Sequence, residues 1–127
     1  MGEFSEDDRG VCVLDLHIGP LVYRVYLWPG YIQHDGQPCL GLCDHDRQCV
    51  LISDSVRDER RLQVLCHEAW HIWRHHFVSQ CSTPEGEADL VGMMFVQLMK
   101  DLHGAMPEAL SSLVYAPNEK IAVKPAV

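Results

Sequence analysis

The residues of this chain best suited to chemistry are two imidazoles four positions apart with a carboxylate beside the first, His67-Glu68-Ala69-Trp70-His71. On a helix, positions i and i+4 lie one above the other, so His67 and His71 can each offer a ring nitrogen to one metal ion. Glu68 stands about a quarter-turn round, where its carboxylate points past the ion and can take a proton from a water held there. Spacing alone therefore divides ligand from base.

Catalytic zinc usually takes three protein ligands and leaves a fourth place open, so a third is needed. His75 is tempting, but it lies about 12 Å further along the axis from His67 and is rotated by about 80°, too far to share one ion; His76 fails similarly. The long metzincin pattern is absent, since Arg74 and Phe77 stand where its Gly and third His would fall. The better candidates are downstream, in Glu85-Gly86-Glu87-Ala88-Asp89. There Glu85 and Asp89 share a helical face, and the small Ala88 and Gly92 beside it would let a second helix approach the first closely.

His67-Glu68-x-x-His71 followed by Glu85-x-x-Ala88-Asp89 resembles the gluzincin arrangement, and in a short chain it is most similar to the ImmA/IrrE metallopeptidase family. The resemblance covers about residues 40 to 100. It implies Zn2+ as cofactor, Glu85 as third ligand, and Asp89 as the carboxylate that orients a ligand imidazole. It also implies a regulatory protease whose partner and substrate is a helix-turn-helix transcriptional repressor. Two other classes compete: a zincin-fold binding or toxin-antitoxin partner without turnover, against which an intact Glu68 argues, and a structural zinc module closed by a cysteine from residues 39 to 49.

Composition limits the alternatives. With 127 residues, 47% of them hydrophobic, the chain makes one ordinary domain with a real core. A net charge of −8 and scattered basic residues argue against direct nucleic-acid binding. No run has the length of a membrane span and none resembles a secretory signal, so the expected compartment is the cytoplasm. The six cysteines then read as thiols. Cys39, Cys43 and Cys49, with Asp44, His45 and Asp46 between, can be imagined as a second metal site, but they lack the paired short spacings of structural zinc. Small buried hydrophobes on strands is the plainer reading.

These groups must be held by an α+β fold, a small antiparallel sheet packed on the HExxH helix and a second buried helix, in a minimal zincin-like arrangement. Residues 1 to 10 read as a flexible lead-in, 11 to 114 as the domain and 115 to 127 as a tail. Two strands, 11 to 18 and 21 to 28, form a hairpin about Gly19-Pro20, with His17 a structural residue. Residues 29 to 38 read as a loop, and 39 to 43 with 49 to 53 as a second hairpin, giving three or four strands. One edge of that hairpin should lie beside the metal and accept an extended peptide. The metal helix is expected over 56 to 78, capped by Asp54 or Ser55, with Leu62, Leu65, Cys66, Ala69 and Trp73 toward the core. Ser82 or Thr83 then caps a second helix with Pro84 in its first position and Gly104 after its end. That helix is apolar almost all round and should be the buried centre. A short third helix is expected from 107 to 114. Tyr31, His34, His103 and Tyr115 are candidates to stabilise an oxyanion, and the sequence does not rank them.

Overall fold

The structure, a computed structural model, describes residues 10–57 and 60–105. Most of the expected lead-in, the third helix at 107 to 114, Tyr115 and the tail lie outside the described residues. What is described is α+β: a small mixed sheet and two helices.

Val11–Ile18 (β1) and Leu21–Trp28 (β2) pair antiparallel about the Gly19 turn, where a φ of 59° suits a residue without Cβ. A bulge between Cys12 and Leu14 places Val13 and Leu14 both inside. The stretch expected to be a loop contains a small separate hairpin, Ile32–His34 (β3) with Gln37–Cys39 (β4), turning through Asp35 and Gly36 at positive φ. Gly41–Asp44 (β5) and Cys49–Ser53 (β6) form the second main hairpin, so the first of its strands starts two residues later than expected because Cys39 belongs to β4.

The sheet order is β1-β2-β6-β5, and β2 pairs with β6 in parallel. The sheet is therefore mixed and not purely antiparallel. The excursion through β3 and β4 returns the chain to lay β5 at the outside, so that β6 enters beside β2 in the same direction. All five residues of β6 are buried, as a strand covered on both faces requires. Val50 and Ile52 face the helices, while Cys49 and Leu51 join Tyr26 and Ile32 in a smaller cluster on the other face. At the edge, Ser53 N donates to Leu40 O at 2.9 Å. With Leu42 opposite Leu51 two residues on, the main chain of Leu40 and Leu42 faces β6, and the amides of Gly41 and Cys43 turn outward.

Arg60–His76 (α1) carries the HExxH sequence and buries Leu65, Ala69, Ile72 and Trp73 against the sheet, with Leu62 and Cys66 partly covered. It starts later than the sequence suggests. Asp54 does not cap it: the Asp54 carboxylate accepts from Gly30 N, and the turn before the helix is held by the buried Arg61, which donates to Val56 O and Asp54 O. After a 3-10 turn at Val78–Ser82, Pro84–His103 (α2) begins as expected, with Thr83 Oγ1 accepting from Gly86 N and Gly104 at the C-terminal end. The expectation that α2 is buried all round is corrected. Only the Leu90, Met94 and Leu98 stripe is buried, whereas Val91, Met93, Phe95, Val96 and Met99 are exposed, because α2 packs on β1 and α1 along one side among the described residues.

His17 joins β1 to the end of α2. Asp101, near the end of α2, accepts from the His17 main-chain N–H at 2.8 Å, lies 2.8 Å from His17 Nδ1, and accepts from Gln97 at 3.1 Å. This carboxylate, its side chain only 6% exposed, is the polar fastening between β1 and α2. Asp101→Ala should destabilise the protein by about 2 to 3 kcal/mol, since it strands the groups that converge on a charged acceptor. Denaturant unfolding of the variant, with α2 helicity followed by circular dichroism, measures it.

Candidate metal centre

Helix α1 presents its polar face beside the edge strand β5. His67 and His71 are exposed there, their Nε2 atoms 3.2 Å apart and their rings nearly perpendicular. Two imidazole ligands of a tetrahedral zinc, each about 2.0 to 2.1 Å from the ion, stand about 3.3 Å apart, close to the separation of this pair, which is also within hydrogen-bond reach. Glu68, one position on, is turned inward and is only 7% exposed.

The strand makes room for it. A Cβ on Gly41 would stand 2.8 Å from Glu68 Oε2 and 2.6 Å from Val64 Cγ1, so only glycine allows β5 to run this close to the helix. Cys43 then donates its thiol proton to Glu68 Oε1 at 3.1 Å and to the Glu68 carbonyl at 3.2 Å. Burial and the neighbouring Glu68 carboxylate push the Cys43 thiol far above the ordinary thiol range, and burial with the same carboxylate raises Cys39. None of the six cysteines forms a disulfide.

A cleft of about 570 Å³ opens over this face, walled by Gly41, Leu42 and Cys43 of β5 and by His67, Glu68, His71, Arg74 and His75 of α1. Cys39, His34, His45 and Val78 also line it. Of the polar groups considered for the oxyanion, His34 reaches the cleft; Tyr31 and His103 are exposed and do not line it, and Tyr115 lies outside the described residues. Glu85 and Asp89 are likewise exposed, on the first turns of α2, and neither lines the cleft. The structure thus gathers His67, Glu68 and His71 but does not bring Glu85 and Asp89 into the cleft with them.

It gathers another set that the sequence reading set aside. His45, in the turn between β5 and β6, meets His75 and His76 in the last turn of α1, and each ring can offer a nitrogen within 4.8 Å of the others. This group could hold a metal ion. His45 stacks on His75 with centroids 3.9 Å apart and planes 7° from parallel. The wholly buried Tyr23 of β2 rises between them, its hydroxyl 3.0 Å from His45 Nδ1 and 2.8 Å from His76 Nε2. Burial, then Cys43 and Asp44, push the Tyr23 phenol up to about 12, so it keeps its proton at neutral pH. Burial and the facing rings hold His45 and His76 below the usual histidine range. Helical geometry separates His75 and His76 from His67, and the group they join is a different one. Their partner is a hairpin turn thirty residues upstream, and the only signal in the sequence was the unusual His-His pair ending the helix.

Comparison with family models, with curated proteins and with solved structures returns no match. None of the helices among the described residues is long and apolar enough to cross a membrane.

Because His45 and His76 bind protons less readily folded than unfolded, the unfolded chain holds more protons below the ordinary histidine pKa of about 6.5. Stability of the chelator-treated protein should therefore fall as pH drops from about 7.5 toward 5.5. Thermal melts across that window should show a shallower fall for His45→Gln. The thiols offer a second check: at pH 8, Cys43 should alkylate at least about tenfold more slowly in the folded protein than in urea, read by peptide mass mapping.

Proposed function

We propose that this protein is a zinc-dependent metallopeptidase in which His67 and His71 hold the ion and Glu68 is the general base. The observation that carries the reading is the convergence of the two Nε2 atoms at 3.2 Å beside a carboxylate enclosed by an edge strand. When bound, zinc supplies a Lewis acid that polarises the scissile carbonyl and acidifies water. Glu68 is the residue that would accept a proton from a water at that position and return it to the leaving amine. Its burial against Gly41 and its hydrogen bond from Cys43 fix which way the carboxylate faces. His34, which lines the cleft, is the group we assign to the developing oxyanion.

The substrate is a protein segment in extended form. It adds to β5 through the outward amides of Gly41 and Cys43. The fold this reading implies is zincin-like, and by the ImmA/IrrE resemblance the substrate is a helix-turn-helix repressor, cut in an exposed linker. The same resemblance assigns the third ligand to Glu85 and the orienting carboxylate to Asp89, both exposed at the start of α2.

Glu68→Gln keeps the size of the side chain and loses the base. The variant should fold, bind zinc like the parent, and lose at least about 100-fold in cleavage of an unstructured peptide library followed by mass spectrometry. Near-normal cleavage by it would remove the mechanism. Glu85→Ala tests the ligand that only the resemblance assigns: a loss of at least about tenfold in zinc affinity in a competition titration would support it, and unchanged affinity would show that the third ligand is another residue.

A further inference from the structure

We propose that His45, His75 and His76 form a second transition-metal site, separate from the His67 and His71 pair, whose ion ties the β5–β6 turn to the end of α1. The three imidazoles come from two elements far apart in sequence, and one nitrogen of each lies within 4.8 Å of the others. Nitrogen donors without a carboxylate select zinc, nickel or copper over magnesium or calcium. Three histidines are also a recurring zinc set, with the fourth position left to water or another donor.

Two observations make this more than a chance meeting of rings. The first is Tyr23. A histidine that ligates a metal almost always has its other nitrogen held by a hydrogen bond, and the buried Tyr23 hydroxyl contacts both His45 and His76. A phenol anchored in the sheet core thus fixes two of the three rings from behind. The second is access: His75 and His76 are exposed, and His45 and His75 line the open cleft, so an ion can enter with no more than the exposed His75 ring turning out of its stack on His45.

The site is separate from the HExxH pair: His45, His75 and His76 come within 4.8 Å of one another without His67 or His71 in the group. The ion would act on the wall of the cleft. The hairpin it fastens bears Gly41 and Cys43, the residues that enclose Glu68, and Asp44, whose carboxylate closes the turn by accepting from Arg47 N and Nη1. Metal at this position would hold β5 against α1.

The test separates the two sites by working in a His67→Ala/His71→Ala background, so its outcome does not depend on the peptidase reading. Metal-free protein is titrated with zinc against a chromophoric chelator, and circular dichroism verifies the fold of each variant. The background should still bind about one equivalent of zinc, and zinc should raise its Tm. Adding His45→Gln, at a half-buried position in the β5–β6 turn, should weaken that binding at least tenfold and abolish the rise in Tm while the circular dichroism stays that of the background. Tyr23→Phe, which keeps the ring and loses the hydroxyl, should weaken it about tenfold. No zinc bound by the His67→Ala/His71→Ala protein, or binding unaffected by His45→Gln, would overturn the proposal. So would one equivalent in the parent that is lost in both sets of variants, since that would mean one shared ion.

Discussion

A carboxylate held out of water against an edge strand is the constraint on which the rest of the cleft depends. Removing Glu68 from solvent is costly unless something donates to it. The structure meets that cost with a strand that approaches close enough for Cys43 to give its proton, which is possible only because Gly41 has no side chain to hold strand and helix apart. The register of β5 follows from this contact, and the placement of the outward amides follows from the register. A one-residue slip would turn Cys43 away from the helix and bring Leu42 or Asp44 in its place. The base, the cleft wall and the peptide-binding edge are thus one arrangement with three consequences.

What could be read in the sequence is what depends on near neighbours. The HExxH spacing, the Thr83 cap with Pro84 behind it, and the first hairpin about Gly19 all act within a few residues, and each occurs where expected. The failures share a cause. Parallel pairing of β2 with β6, the burial of only one stripe of α2, and the meeting of His45 with His75 and His76 are set by which elements are neighbours in space. No local pattern carries that information. In α2 the composition was read as burial all round, though Leu90, Met94 and Leu98 already marked the one face that packs. Glu85 is the intermediate case: its spacing to the HExxH motif suggested a role, while its distance from the cleft depends on how α2 is set against α1.

Five of the eight histidines line one cleft: His34, His45, His67, His71 and His75. In a chain of net charge −8, whose excess charge is carboxylate, this concentrates neutral nitrogen donors for a metal on a single surface.

The parallel seam between β2 and β6 has a consequence for how the molecule assembles. Each main hairpin closes through a short turn and can zip up by itself, whereas the seam joins residues about twenty-five apart through the intervening β3–β4 excursion. The sheet is therefore two quick local units docked along one slow nonlocal joint. Tyr23 belongs to one unit, and Gly41, Cys43 and His45 to the other. In the folding chain the three-histidine cluster cannot be held as a partial object: before the units dock, Tyr23 and the His45 it contacts are on separate pieces.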